Sequence, residues 1–473
     1  MYGGGGGTVA PGGLVEVRTA VIGPTVRRVR HRHRRPRLSL RLRGTELRVG
    51  IARTAIVNAV SVGSAGLGGV LAARSLGPAP RGEYAAIMTW FGTLLMVGQL
   101  GQTAAVAYHV AREPRRAADH LATSRNIMLV TGLLAIGAGL VAAPMLGRHH
   151  GEAVWGYRLV FLTCLPTFVG ASYTFALLAT RLALWNLVRI SQPLAYLAVL
   201  GLLYLTGGLT LTTLVWTLCL TMVAQTVLAY ALCRRHGLAG GRGRADLARP
   251  LLRYGVSQVT AAVPTTLTGR LDQLVLSMAV APAALGHYAV ATSVTNLALP
   301  LVGAVGSVVY PRIASHTMSA QGALALQRRA VWTSAVLSAV LLLAVAASAP
   351  WVVPSVFGAG FRGAVLLIWL LSPGTALLAC GMVCADLLRG HGRPLAVARA
   401  QGISAVAVAV LLAVLLPTMG LPGAALASTV AAGVALILML RALPGRSAVA
   451  DGGVVDSLVE PRARTETAAR TSA

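Results

Sequence analysis

Two ionisable residues, Arg270 and Asp272, lie deep inside one apolar run that extends over about residues 254–279. An ionised side chain within hydrocarbon costs about 2.5–3.5 kcal/mol on insertion scales, so such residues usually face a partner or a water-filled cavity. Their i, i+2 spacing puts them on different faces of a helix, which argues against a simple intrahelical salt bridge. Two interpretations remain open: an interior binding site, or a structural pair near a membrane surface with Arg270 snorkelling to it.

Other kinds of chemistry have no motif in this sequence. It contains no G-x-x-x-x-G-K-[ST] phosphate loop, no H-E-x-x-H and no discernible Ser/His/Asp arrangement, so we predict that the chain is not an enzyme. All five cysteines lie in apolar runs without a C-x-x-C pair, which argues against disulfides and a zinc site. The adjacent His149 and His150 do not define a metal site either. We therefore expect no metal and no cofactor, and leave coupling to H⁺ or Na⁺ open.

The composition identifies the solvent around this chain. Of its 473 residues, 56% are hydrophobic and only 11% are charged, whereas a soluble protein carries about 25% charged residues. A single soluble core stops growing at about 250–300 residues, so an interior cannot hide this much apolar surface. Lipid is therefore the main solvent, and we predict a multi-pass protein of the cytoplasmic membrane.

Twelve apolar runs are long enough to cross a bilayer, which takes about 20 residues each. They lie near residues 51–73, 84–111, 126–146, 154–178, 186–206, 211–233, 254–279, 285–311, 330–350, 364–388, 400–417 and 421–440. Six precede and six follow a polar linker at 234–253. This predicts an all-α membrane protein with twelve transmembrane helices in two six-helix bundles, 49–233 and 254–442. Disordered tails are expected at 1–48 and 443–473.

The basic residues predict the orientation. All 41 are Arg, and 33 of them fall in segments that face the inside if the N-terminus does. Four fall within runs, and four fall in predicted outside segments: Arg74, Arg81, Arg148 and Arg362. The positive-inside rule therefore places both termini in the cytoplasm. The Arg-rich tail at 1–48 has no fold signature or interleaved aromatic residues, so we expect contact with anionic membrane lipids and not with nucleic acid.

One eight-residue pattern, P-A-x-x-G-x-Y-A, occurs at Pro78–Ala85 and again at Pro282–Ala289. Pro is well placed in the first turn of a helix, where its missing N–H is no loss. Gly permits a tight turn, and Tyr is typical of the lipid–water boundary. Two copies 204 residues apart indicate a repeated architecture with the working site between the halves.

Several short sequence motifs together resemble those of the polysaccharide-export flippases, which belong to the multidrug/oligosaccharidyl-lipid/polysaccharide exporter superfamily. The resemblance covers about residues 48–442, everything but the tails. The motifs are Ala73-Arg-Ser-Leu-Gly-Pro78, Gly82-Glu-Tyr-Ala85, Arg253-Tyr-Gly255, Asp272, Leu285-Gly-His-Tyr-Ala-Val-Ala291, Tyr310-Pro-Arg-Ile313, Phe357-Gly-Ala-Gly-Phe361, Arg389-Gly-His-Gly-Arg-Pro394 and Gly420-Leu-Pro-Gly-Ala-Ala425. Each is weak alone, and the set in this order is fairly specific.

The resemblance implies a flippase that carries an undecaprenyl-diphosphate-linked oligosaccharide, a surface or exopolysaccharide precursor, to the outer leaflet by alternating access. Two bundles would rock around a cavity lined chiefly by the first, second, seventh and eighth helices. An Arg such as Arg270 suits a diphosphate, because its planar fork binds phosphate oxygens bidentately. The candidate substrate-binding residues are Arg53, Asn58, Gln99, Gln102, Arg270, Asp272 and Asn296.

Several of these residues can also be explained by a structural role that involves no substrate. Arg53 lies where its side chain could snorkel to the cytoplasmic surface. The amide side chains of Asn58, Gln99, Gln102 and Asn296 could bind sugar hydroxyls, and hydrogen bonds between helices are an equally good explanation for them. Gln99 departs from the resemblance, because an acidic residue often ends the second helix in such proteins. Ion coupling through this position is therefore in doubt.

Two other functions compete with the flippase. A multidrug/toxin cation antiporter of the same superfamily would present cavity acids to its cation, whereas the deep charges here are Arg residues and Asp272. A membrane glycan polymerase needs acid/base residues at a water-accessible face, and the predicted outer loops are too short to supply them. The expected partners are the lipid-linked glycan and membrane lipids, with glycan polymerases or glycosyltransferases as further candidates.

Overall fold

The structure is a computed structural model that describes residues 44–147, 151–315 and 319–444. Its helices are α1 (Gly44–Leu76), α2 (Pro78–Gly98), α3 (Gln102–Arg112), α4 (Ala117–Leu146), α5 (Gly151–Leu162), α6 (Cys164–Thr180), α7 (Leu182–Leu205), α8 (Leu211–Arg235), α9 (Ala245–Thr268), α10 (Leu271–Ala279), α11 (Pro282–Thr295), α12 (Leu299–Ala314), α13 (Ala320–Phe357), α14 (Gly363–Gly390), α15 (Pro394–Met419) and α16 (Leu421–Ala442). Over the described residues the secondary structure is helical, with three short 3₁₀ helices and no strand. Most of the predicted tails, and His149–His150, lie outside these residues.

The long helices agree with a multi-pass membrane protein. Within the described ranges, ten helices are long and apolar enough to cross a membrane, or up to eleven if the bent pair α2–α3 is one span. The predicted run 254–279 corresponds to α9 and α10, which are not among these candidates. The count of twelve spans, the two six-helix bundles and the cytoplasmic termini therefore stay predictions.

Four predicted runs are interrupted helices, one of them 154–178, which is divided into α5 and α6. The chain bends by 42° between α2 and α3, where Leu100 and Gly101 both have positive φ, at 45° and 63°. Gly269 and Arg270 separate α9 from α10, and a 3₁₀ turn at Asn296–Ala298 joins α11 to α12. Interrupted helices at membrane depth are tolerated where they line a cavity or are buried in protein, and they often mark transport sites.

The two copies of the repeated pattern pack against each other, with helices α2 and α11 in close contact. A methyl group on Gly82 would overlap the backbone of Pro282 and Gly286, and one on Gly286 would overlap Pro78 and Gly82. This reciprocal contact is the relation expected across a pseudo-twofold axis. We call these four residues the outer seal, because the sequence predicts that they lie at the outer membrane surface.

The structure corrects the roles that the sequence suggested for this pattern. Each Pro begins its helix as predicted, but Gly82 and Gly286 lie inside helices and serve close packing, not a turn. The two Tyr residues both make contacts inside the protein. Tyr288 is fully buried, and Tyr84 is hydrogen-bonded to Tyr196 of α7 at 2.9 Å between hydroxyl oxygens.

A second glycine contact joins the halves at the bend between α2 and α3. A methyl group on Gly101 would overlap the carbonyl of Gly255 in α9, and one on Gly255 would overlap the carbonyl of Leu100. We call these three residues the inner seal. Helix α2 therefore contacts the second half near its start, at the outer seal, and at the bend that follows its last residue, at the inner seal.

Candidate functional site

Polar side chains join the two halves between the seals, along the contact of α2 with α10. The Trp90 indole N–H donates to the hydroxyl of Ser277 at 2.9 Å, and the Thr89 hydroxyl lies 3.2 Å from Gln273 Oε1. These bonds link side chains from different repeats inside an apolar protein, where an unpaired polar group would be costly. We call the α2–α10 contact the seam.

Arg270 lies at the start of the seam and touches the first half. It is the N-cap residue of α10, at the interruption after α9, and its guanidinium packs so closely on Gly92 of α2 that a methyl group there would overlap it. Among the described residues Arg270 forms no ion pair. The structure thus puts Arg270, a cation without a paired acid in the part of the chain that is described, between the two halves and next to an interrupted helix.

Asp272 is held from within the second half. The Tyr288 hydroxyl donates to its Oδ2 at 2.5 Å, and the Ser428 hydroxyl lies 3.5 Å from the same oxygen. The backbone N–H of Gln273 donates to Oδ1 at 2.7 Å. Asp272 and Arg270 therefore do not form a structural salt bridge, and each has its own surroundings, as the i, i+2 spacing predicted.

Asp272 also lines a cavity of about 370 Å³ formed by second-half residues, both polar and apolar. Asn296, at the 3₁₀ turn between α11 and α12, lines the same cavity. Further polar lining residues are Gln273, Thr292, Thr295, Thr375, Gln401, Ser404, Ser428 and Thr429. Gln273 connects cavity and seam, since it meets Thr89 and donates to Thr292 at 3.3 Å.

The other predicted site residues lie elsewhere. Gln102 is fully buried and donates to the Leu251 carbonyl of α9 at 3.4 Å, beside the inner seal, while its Oε1 has no hydrogen-bond partner among the described residues. Gln99 is the C-cap residue of α2. Asn58 accepts from Arg189 of α7 at 2.9 Å, and Arg53 is exposed on α1.

The seven candidates thus fall at separate places, and only Asp272 and Asn296 line one cavity. The role of each residue in binding stays a prediction. Sequence analysis missed Gln273, although its position beside Arg270 and Asp272 in one run was a usable signal. It also assigned Arg81 to an outer loop, whereas α2 begins at Pro78 and includes it.

Removing the Tyr288 hydroxyl tests the hydrogen bonds that hold Asp272 within the second half. We expect Tyr288→Phe to lower the free energy of unfolding by about 1–3 kcal/mol, because an oxygen of the Asp272 carboxyl loses a buried donor. Thermal unfolding of the detergent-solubilised protein measures this loss, with Asp272→Asn and the double variant completing a mutant cycle. Additive effects would show that the two side chains do not interact, since contacting residues usually couple by about 0.5–3 kcal/mol.

Comparison with known proteins connects this geometry to a family. The family model described as "Polysaccharide biosynthesis protein" matches residues 49–317. No curated protein matches significantly.

Solved structures of transporters share the fold. A lipid II flippase, MurJ, in an inward closed conformation superposes with a TM-score of 0.69 and 12% identity, covering 82% of this chain and 87% of MurJ. An inward-facing multidrug resistance MATE family transporter of the MOP superfamily gives 0.67 and 16% identity, covering 85% and 98% of the two chains. An outward-facing MATE transporter gives 0.57 and 16% identity, covering 85% and 96%.

Proposed function

This chain belongs to the polysaccharide biosynthesis protein family, and from that premise we propose that it is a flippase for an undecaprenyl-diphosphate-linked oligosaccharide. It moves this precursor of a surface polysaccharide across the cytoplasmic membrane by alternating access and performs no chemical step. The multi-pass architecture and the fold shared with transporters of the superfamily support the general activity. The diphosphate cargo is the finer part of the proposal.

The position of Arg270 is the observation that carries the choice of cargo. A cation with no paired acid among the described residues lies where the two halves meet. Guanidinium binds phosphate oxygens with two parallel hydrogen bonds and stays charged at every physiological pH. A diphosphate in the seam would supply the missing counter-charge, while the lipid tail stays in the membrane.

The seals suggest how access alternates. Each consists of backbone packed on backbone at a glycine, so little side-chain interdigitation holds either contact together. Separation of the outer seal with the inner seal intact opens the seam to one side of the membrane, and the reverse opens it to the other. A small free-energy difference between these states is what transport requires, because a cargo shifts an equilibrium only by its differential affinity.

A cation antiporter is the alternative, and the structure gives it less support. A cationic drug needs an acid that faces the transport route. Asp272 instead accepts three hydrogen bonds from its own half, and Arg270 at the seam would repel a cation. A glycan polymerase has less support still, since the solved structures with this fold are transporters.

Reconstitution tests the function. Purified protein is placed in proteoliposomes that contain a fluorescent polyprenyl-diphosphate oligosaccharide, and a membrane-impermeant quencher reports the label in the outer leaflet. We expect protein to increase the quenched fraction beyond that of protein-free vesicles, and expect no protein-dependent efflux of ethidium, a cationic dye. Ethidium efflux without movement of the lipid would reverse the assignment to the antiporter.

A further inference from the structure

Among the described residues Arg81 is a second cation without a paired acid. It lies beside the outer seal, and the transport route described above does not use it. It lies in the first turn of α2, one residue before Gly82 of the outer seal. Its Nε is enclosed and has no hydrogen-bond partner in the described chain. None of the ion pairs among the described residues includes Arg81.

Two tyrosines surround this guanidinium. Its Cζ lies 5.9 Å from the centroid of the Tyr84 ring, and the Tyr84 hydroxyl is bonded to that of Tyr196 in α7. Phenols are neutral near pH 7, since their ordinary pKa is about 10, so the ring faces offset the charge only in part.

The position of Arg81 in its helix adds a second cost. The N-terminal end of a helix carries a partial positive charge, which favours anions and disfavours cations. The first turn of α2 contains no acidic residue that would compensate. Both the dipole and the enclosure of Nε without a partner among the described residues therefore favour a bound anion at this place.

We propose that Arg81, with the hydroxyls of Tyr84 and Tyr196, binds the phosphate-bearing headgroup of the lipid-linked cargo at the outer end of the first half. The inference rests on the proposed function and adds a second station to it. Arg270 would hold the headgroup in the seam, and Arg81 would receive it once the outer seal separates. Such a station shortens the distance over which a charged headgroup travels without a counter-charge.

Binding in a background that lacks Arg270 isolates the second station. The probe is radiolabelled farnesyl diphosphate, added to the Arg270→Ala protein in nanodiscs of phosphatidylcholine. We expect saturable binding that farnesol does not compete for. Adding Arg81→Gln should weaken it at least about tenfold, because hydrogen bonds to charged groups are the strong ones. The affinity of the Arg81→Lys variant for farnesyl diphosphate should lie between that of the protein with Arg81 and that of the Arg81→Gln variant, since Lys keeps the charge and loses the planar fork.

The matched control is Arg158→Gln, which removes an exposed Arg of α5 and should leave binding unchanged. If Arg81→Gln does not fold, Arg81→Lys and Tyr196→Phe provide the test. Equal binding by all variants would overturn the proposal. Loss of farnesyl diphosphate binding when the nanodiscs are made of phosphatidylglycerol would also overturn it, because an anionic bulk lipid would then occupy the position beside Arg81.

Failure here is distinguishable from failure of the proposed function. If wild-type protein flips the polyprenyl-diphosphate oligosaccharide and Arg81→Gln flips it at the same rate, the second station is wrong and the flippase stands. If wild-type protein does not flip this lipid, the flippase itself is wrong, whatever Arg81 binds.

Discussion

Cells that carry Arg270→Ala together with Arg53→Ala should lose export of the surface polysaccharide while the protein stays in the membrane. Hydrogen bonds to charged groups contribute about 1.5–3 kcal/mol each, so Arg270→Ala alone should slow transport about 10- to 100-fold at about 1.4 kcal/mol per decade. Arg270 should account for most of the loss, because it lies in the seam, whereas Arg53 is exposed on α1. Export is measured as surface polysaccharide, and membrane abundance by immunoblot.

Arg158→Ala is the control for this pair, because it also removes a basic residue from a long helix but lies exposed on α5. Its export should match the wild type. Normal surface polysaccharide in the double variant, at normal protein abundance, would remove the diphosphate role of both residues. If Arg53→Ala alone abolished export of the polysaccharide, the diphosphate-binding position would have to be assigned to α1 instead of the seam.

A single methyl group at the outer seal should hold the protein open on that side. Gly82→Ala places a Cβ on the backbone of Pro282, and backbone cannot rotate away as a flexible side chain does. Overpacking of this kind costs about 1–3 kcal/mol, which shifts the closed–open equilibrium about 5- to 150-fold. Gly286→Ala should act alike, because its methyl group would overlap Pro78 across the same contact.

A cysteine reporter measures the opening. Ser277 lines a cavity of about 190 Å³ beside the outer seal, together with Gly82 and Pro282. We expect Ser277→Cys to react slowly with a membrane-impermeant maleimide and at least about tenfold faster when Gly82→Ala is added. The five native cysteines are buried, which keeps the background low. Gly137→Ala is the matched control, since nothing lies within 4 Å of its added methyl group. Equal rates in the two variants would contradict the role of the seal.

The helices themselves were largely predictable from the sequence. Lipid demands long apolar segments whose backbone groups are bonded internally, so the twelve runs fall on helices of the structure, and Pro78 and Pro282 begin theirs as expected. Helix interruptions were harder to foresee. The segment Gly98-Gln-Leu-Gly101 contains the bend, but glycine within an apolar run is also common where helices pack closely.

The site was predictable only in part. Sequence periodicity indicates which face of a helix a residue occupies, but it does not indicate which residue of another helix packs against that face. The depth of Arg270 and its separation from Asp272 were visible. The contact of Arg270 with Gly92, the pairing of Tyr288 with Asp272 and the contact of Gly82 with Gly286 each depend on residues about 16 to 200 positions apart. Such pairs are set by how helices pack within and between the two halves, which composition and spacing do not specify.

The charge of the headgroup tests the central claim most directly. Proteoliposomes are prepared with two fluorescent lipids that share one polyprenyl chain and one oligosaccharide, and differ only in a diphosphate or a neutral ether linkage. If the cation in the seam selects the cargo, wild-type protein should flip the diphosphate lipid at least about tenfold faster, and Arg270→Ala should remove most of this preference. Equal rates for both lipids in the wild type would contradict the account.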